Sequence, residues 1–145
     1  MSEIRNIRPA GPDHQVVTVS KTGGGYRRKP CGGCPWVTAN DGNFPAEAFR
    51  HSANTAHDMA TTCFACHESG ADKPAICAGF LLRNAQNNLS VRMAQMRGTL
   101  DMGQVHDDGR ELHTSYRAMA EANGVPADDA ALANCRCDAT TEEAA

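Results

Sequence analysis

Seven cysteines carry the clearest chemical signal in this 145-residue sequence. Cys31 and Cys34 form one CxxC pair, Cys63 and Cys66 form a second, and Cys77 follows closely. The first pair encloses two glycines, which allow backbone N–H groups to turn toward the sulfur atoms and stabilise thiolates. Five cysteines within 47 residues are difficult to explain by packing, so the spacing predicts a cysteine-ligated metal site.

Two sets of four ligands are compatible with this spacing, and both contain the first CxxC pair. In one set Cys63 and Cys66 complete a site like that of a zinc ribbon; in the other, Cys77 replaces Cys63. The ribbon set has 28 residues between its pairs, more than is usual for such sites. If residues 61–67 are extended, Cys63 and His67 point to one face and Cys66 to the other.

The second set is therefore preferred. Cys77 also begins a predicted helix, where backbone N–H groups favour a thiolate and where ligation would tie the metal site to the core. The predicted ligands are Cys31, Cys34, Cys66 and Cys77, with Cys63 or His67 as substitutes.

The predicted ion is a structural zinc, because four thiolates make a closed tetrahedral site. A [4Fe–4S] cluster is the alternative, since four cysteines serve it equally well. A thioredoxin-like redox pair is less favoured, because the first CxxC follows an Arg-Arg-Lys-Pro loop rather than a strand. No Ser/His/Asp arrangement, phosphate loop or carboxylate pair supports an enzyme.

The cysteine count and the polar start of the chain indicate the compartment. Residues 1–9 contain no apolar stretch typical of a secretory signal, and no run has the length of a membrane span. An odd number of cysteines argues against a disulfide framework. We therefore expect a cytoplasmic protein that has no membrane partner.

Periodicity predicts an α+β fold that is mostly helical, with a short β element and a metal knuckle. His14–Ser20 has the β-branched content of a strand, and residues 61–67 suggest a short strand or knuckle. Apolar spacings of three and four predict three helices, over 45–59, 74–97 and 111–123. Met93 and Met96 lie on the predicted buried face of the long helix, where methionine commonly fills a core.

Charge divides the chain into three regions. Residues 1–30 form a basic arm of net charge +4, residues 31–137 the predicted metal-binding domain, and residues 138–145 an acidic tail. Arg27, Arg28 and Lys29 lie beside Tyr26 and run into the first CxxC pair, so they are candidate nucleic-acid contacts. The other 115 residues carry a net charge of −7, so we expect nucleic-acid binding to be weak and a protein partner to be favoured.

Three blocks of the sequence resemble those of an uncharacterised cysteine-rich family, a domain of unknown function found in short proteins of bacteria and their phages. The blocks are Cys31-x-x-Cys34-Pro35-Trp36, Phe64-x-Cys66-His67 and Cys77-x-Gly79-Phe80. The stretch from Ser115 to Val125 is also similar, so the resemblance extends over roughly residues 28–137. The resemblance implies a metal-site protein, an accessory protein of a phage or prophage, and favours the ligand set that contains Cys77.

Folding is predicted to depend on the metal. Leu, Ile, Val and Phe together number only 20, and a chain so poor in large apolar residues needs a further constraint. Structural zinc contributes on the order of 10 kcal/mol of apparent binding free energy at neutral pH. Complete removal of the metal by a chelator should lower the thermal midpoint, followed by circular dichroism. An unchanged midpoint in metal-free protein would contradict the prediction.

Overall fold

The computed structural model describes residues 25–66 and 75–135, together with the backbone of two N-terminal strands. Its elements are β1 (Ile4–Pro9), β2 (Gln15–Val19), α1 (Ala46–Ser52), β3 (Cys63–Phe64), α2 (Ala78–Asn84), α3 (Leu89–Arg97) and α4 (Tyr116–Ala122). Four single-turn 3₁₀ segments join them, at Thr38–Asn40, Ala53–Ala56, Met102–Gln104 and Ala130–Leu132. The prediction of a small, mostly helical domain is confirmed.

The three strands form one antiparallel sheet in the order β1-β2-β3. The strand predicted over residues 14–20 is observed as β2. β1 was not predicted, because its segment was interpreted only as part of a basic arm. The pairs Thr18↔Phe64 and Val19↔Cys63 join β2 to the second CxxC segment, so the N-terminal region contributes directly to the sheet beside the cysteines.

The prediction of one long helix over 74–97 is wrong, because the chain turns between α2 and α3. Asn88 is fully buried, and its side-chain oxygen accepts a hydrogen bond from the Val91 N–H at 3.0 Å, which caps α3. The same side chain donates to the Thr62 carbonyl at 2.7 Å. The Leu89 N–H donates to the Ala60 carbonyl at 2.8 Å instead of continuing a helix. A local cap together with tertiary hydrogen bonds therefore overrides the helical periodicity.

The break also reverses the expected burial of the methionines. α3 buries Val91 and Ala94, whereas Met93 is 44% exposed and Met96 is 86% exposed. The prediction that these methionines fill the core is wrong, because it assumed one continuous helical face through both segments. Leu100, the last apolar residue of the predicted stripe, is buried.

The first and last predicted helices are shorter than expected. α1 ends at Ser52 and continues as a 3₁₀ turn, while α4 begins at Tyr116 after the Ser115 side chain caps the Ala118 N–H at 3.1 Å. The start predicted for the last helix, near residue 111, is extended instead, because Val37 and Leu112 form an antiparallel bridge. In the described residues, no helix combines the length and apolar character that a membrane span requires.

An aromatic cluster centred on Trp36 forms the core next to the cysteines. Trp36 is fully buried, and its ring meets Phe64 and Tyr116 edge-on, with centroids 6.1 and 5.9 Å away. Phe64 also stacks on Phe80 at 6.4 Å. These contacts pack the residue two positions after Cys34 against β3, α2 and α4.

Gly79 allows Trp36 to approach α2. A Cβ atom at Gly79 would lie 2.5 Å from Trp36 Cβ and 2.7 Å from Cγ, closer than two non-bonded carbons tolerate. The glycine of the third sequence block is therefore explained by close packing, in the first turn of a helix where alanine would otherwise be the better helix former.

Replacing Gly79 with Ala is predicted to destabilise the protein. Overpacking costs about 1–3 kcal/mol and exceeds the roughly 1 kcal/mol that alanine gains in helix propensity. The free energy of unfolding in urea should therefore fall. Gly103→Ala is the matched control, since its nearest contact is the flexible Asp101 carboxylate at 3.1 Å. A Gly79→Ala protein at least as stable as the wild type would contradict the packing argument.

Candidate metal centre

The first CxxC pair forms a tight turn with its ends held by backbone hydrogen bonds. The Cys34 N–H donates to the Cys31 carbonyl at 3.1 Å, and the Val37 N–H donates to the Cys34 carbonyl at 3.1 Å. The Trp36 N–H donates to the Cys34 sulfur. Such N–H···S bonds stabilise a thiolate.

A second pair of segments runs antiparallel beside this turn. Ala65 and Ile76 form an antiparallel bridge, and the flanking hydrogen bonds join the Cys66 N–H to the Ala75 carbonyl at 2.6 Å and the Cys77 N–H to the Phe64 carbonyl at 3.0 Å. Since side chains alternate along extended chains, Cys66 and Cys77 lie diagonally opposite on the face that does not carry Ala65 and Ile76.

Cys34 and Cys77 bring the two parts together through their sulfur atoms, which are 3.7 Å apart. Two sulfurs each about 2.3 Å from a tetrahedral zinc lie about 3.8 Å apart, so the pair already has the separation of two ligands of one ion. The Cys34 sulfur also contacts the Cys31 side chain. The hydrogen bond between the Cys31 and Cys34 side chains lowers the pKa of Cys34. Contact with Cys77 and burial together raise that pKa well above its usual value.

The four predicted ligands are all buried: Cys31 is 7% exposed, Cys34 0%, Cys66 4% and Cys77 1%. No disulfide joins any of the six cysteines in the described residues. Over residues 25–66 and 75–135, no group of three or more His, Cys, Asp or Glu side chains is arranged so that it could hold a metal ion. The sulfur contacts in this cluster are Cys34 with Cys77 and Cys34 with Cys31.

Cys63 points elsewhere. Its thiol donates a hydrogen bond to the Asn88 side-chain oxygen at 3.7 Å, on the opposite face of the strand from Cys66. Burial raises the pKa of Cys63 to about 12, which favours the neutral thiol. Its position is that of a buried core residue, and its contact is with the cap of α3.

Cys135, the remaining cysteine of the described residues, contacts the segment after α1. Cys135 is buried, and its thiol lies 3.5 Å from the Ala53 carbonyl. Burial raises its pKa to about 11, although Arg117 opposes the shift. His67 and Cys137 lie outside the described residues.

Two polar side chains hold the first CxxC turn from outside. The Arg110 guanidinium donates to the carbonyls of Cys31 at 2.6 Å and Gly32 at 3.1 Å. The Asn40 amide donates to the carbonyls of Gly32 at 3.2 Å and Cys34 at 2.9 Å. These hydrogen bonds to its carbonyls fix the conformation of the turn. Sequence analysis missed Arg110, since it lies 79 positions after Cys31 and no motif connects them.

The basic residues before the turn have structural contacts. Arg28 donates to the Gln104 side chain at 2.9 Å, and its guanidinium lies 5.4 Å from the centre of the Tyr26 ring. The Arg27 N–H donates to the Ile76 carbonyl at 2.9 Å, whereas the Lys29 side chain is exposed. Arg28 and Lys29 are exposed and Arg27 is partly buried, so whether these three residues contact nucleic acid stays a prediction.

Arg110 is predicted to support metal binding without being a ligand. Removing a group that orients ligands typically costs about 10–100-fold in metal affinity. Arg110→Ala should therefore weaken zinc binding by roughly tenfold or more, measured by competition with a chromophoric chelator. Arg110→Lys should recover only part of the loss, since an ammonium group cannot reproduce the fork of the guanidinium. Arg83→Lys is the control for Arg110→Lys, because Arg83 also donates to a backbone carbonyl, that of His113, and this variant should keep wild-type zinc affinity. Wild-type zinc affinity in Arg110→Ala would contradict the positioning role.

Comparison with known proteins gives a family but no activity. The model of a family of unknown function, DUF6283, matches residues 26–136, so the chain belongs to that family. The match covers both CxxC segments, α1 to α4 and Arg110. No curated protein and no solved structure matches the chain significantly.

Proposed function

We propose that this member of a family of unknown function is a zinc-stabilised interaction module, with Cys31, Cys34, Cys66 and Cys77 as the ligands. The observation that carries the proposal is the 3.7 Å separation of the Cys34 and Cys77 sulfurs, which matches two ligands of one tetrahedral ion. The Cys31–Cys34 turn and the antiparallel pairing of residues 64–66 with 75–77 supply the remaining ligands on adjacent backbone.

A structural role fits this site better than a catalytic one. All four sulfurs are buried, and four thiolates leave no coordination position for water or substrate. When bound, zinc would act as a cross-link between the first CxxC turn and the start of α2. The chain's own part is to hold the sulfurs, through Arg110 and Asn40 on the carbonyls of the turn and the Trp36 N–H on Cys34.

The distance between the Cys34 and Cys77 sulfurs favours zinc over a [4Fe–4S] cluster. Each thiolate of a four-iron cluster binds a different iron atom, so its sulfurs are held apart by the cluster. Sulfurs 3.7 Å apart fit a single ion instead. The cluster remains the alternative that elemental analysis distinguishes.

An interaction role, with a protein partner, follows from the chemistry that the domain offers. The exposed Arg28 guanidinium already contacts Tyr26 and Gln104, so a phosphate group would compete with these contacts. The chain also carries a net charge of −3, which opposes broad nucleic-acid binding. Reduced thiolates suit a reducing compartment, so the proposed location is the cytoplasm. The family resemblance suggests a bacterial or phage origin.

Single Cys→Ser variants test the ligand set. Cys34→Ser and Cys77→Ser should lose stoichiometric metal, because each removes one of the two sulfurs that already have the ligand separation. Cys63→Ser is the matched control: it changes a buried cysteine whose thiol contacts Asn88, and it should retain metal. Metal content is measured on folded protein by elemental analysis.

The outcomes separate the competing models. Loss of metal in Cys63→Ser with retention in Cys77→Ser would contradict the proposed set. One zinc per chain in wild-type protein purified without added metal supports the proposal. Iron and sulfide in a brown, anaerobically purified protein would replace zinc with a cluster. Absence of any metal would contradict both.

A further inference from the structure

Among the residues that the structure describes, the exposed large apolar side chains are three methionines. Met59 is 49% exposed, Met93 44% and Met96 86%. With Arg92 and Arg97 they form a surface that we name the methionine–arginine face. Exposed methionines that share a surface are typical of adaptable protein-docking sites, because the unbranched thioether fits many partner shapes.

The face is continuous across two segments. α3 buries Val91 and Ala94 on one side, so the helical period turns Arg92, Met93 and Met96 to the opposite side. The Arg92 guanidinium contacts the Met59 sulfur at 3.7 Å and joins the loop after α1 to α3.

Met59 is held in a backbone conformation that disfavours a bulky side chain. Its φ is +60°, in the left-handed region. The Met59 N–H donates to the Asn87 carbonyl at 2.7 Å, and the neighbouring Ala60 and Asn88 form a parallel bridge. Such strain costs of the order of 1 kcal/mol or more and persists where the surroundings fix it, frequently at functional sites. Here it presents an apolar side chain to solvent.

The charge of this region is opposite to that of the whole chain. No Asp or Glu occurs from residue 73 to residue 100, whereas this stretch contains Lys73, Arg83, Arg92 and Arg97. The whole chain carries a net charge of −3. Arg83 donates to the His113 carbonyl at 2.7 Å, while Arg92 and Arg97 are exposed at the edges of the methionines. Asp58 is exposed next to Met59, so the charged groups beside the methionines are two arginines and one carboxylate. The face therefore complements an apolar partner that carries acidic groups opposite Arg92 and Arg97.

A groove beside α3 adjoins the face and shares Arg92 and Met96 with it. It has a volume of about 530 Å³ and is lined by Ala85, Gln86, Arg92, Gln95 and Met96. Apolar atoms of Ala85 and Met96 line it together with polar groups of the other three side chains. An amphipathic helix docks in such grooves through apolar anchors at positions i, i+3, i+4 and i+7.

We propose that the methionine–arginine face binds an amphipathic helix of a protein partner whose apolar stripe is flanked by Asp or Glu. The inference rests on the proposed interaction function and names the kind of partner. The apolar stripe would cover Met59, Met93 and Met96, and the flanking carboxylates would pair with Arg92 and Arg97. Nucleic acid is disfavoured, because two exposed arginines around three methionines offer few phosphate contacts.

A peptide-display selection on the full-length, metal-loaded chain tests the proposal. The library should consist of random helical peptides, and the selected binders should be enriched in acidic, amphipathic sequences. Selected peptides are then synthesised with a fluorophore, and their affinity is measured by fluorescence anisotropy. Met96→Asp and Arg92→Glu should each weaken binding at least about tenfold, since central apolar anchors and desolvated charges dominate such interfaces.

Two controls separate this proposal from the function on which it rests. Lys29→Glu reverses an exposed charge outside the face and should leave peptide affinity unchanged. Zinc content should be at the wild-type level in Met96→Asp and Arg92→Glu. Neither residue belongs to one of the three cysteine-containing blocks, and neither takes part in the contacts described for the cysteines. Normal zinc content without acidic binders would overturn the docking proposal alone, whereas a chain without metal would overturn the proposed zinc module.

Other occupants of the face give distinct results. If a second copy covers it, wild-type protein should be a dimer by analytical ultracentrifugation and Met96→Asp a monomer. If nucleic acid covers it, Arg92→Glu should abolish binding of a labelled oligonucleotide. Either result, or selected peptides that bind Met96→Asp and Arg92→Glu as tightly as wild type, would overturn the proposal of an acidic helical partner.

Discussion

The described core is organised by the contact between the first CxxC turn and the beginning of α2. At this contact the Cys34 and Cys77 sulfurs are 3.7 Å apart, and the Trp36 side chain packs so closely on Gly79 that no Cβ atom fits between them. Each residue of the packing contact lies two positions after one of these cysteines: Trp36 follows Cys34, and Gly79 follows Cys77. The sulfur contact and the packing contact are therefore coupled. A change in either contact would move the other.

The aromatic cluster and the polar clamps hold this contact from opposite sides. Phe64 and Tyr116 pack against Trp36 within the core, and Arg110 and Asn40 bind the carbonyls of the turn at the surface. A bound ion would add a third constraint to a domain with few large apolar residues. α3 contributes Val91 and Ala94 to this core and leaves its opposite side exposed.

The sequence alone predicted the class of chemistry, a cysteine-ligated metal site, and located part of the local structure. Two CxxC pairs with a fifth cysteine predicted the metal site, and β-branched content located β2, because these signals depend on residue type and short spacing. The alternation of an extended strand predicted that Cys63 and Cys66 point to opposite faces. The structure agrees, since Cys63 contacts Asn88 while Cys66 lies on the face shared with Cys77. Whether these sulfurs bind zinc stays a prediction.

Only the tertiary structure decided the features that depend on residues far apart in the chain. The long helix breaks at Asn88 because that side chain caps α3 and bonds to Thr62, which outweighs a favourable helical period. The exposure of Met93 and Met96 follows from the break. Arg110 reaches the CxxC turn from 79 positions away, and Gly79 is needed only because Trp36 lies against it. Periodicity reports which residues share one face of one element, but the partner of that face is fixed only when the elements pack.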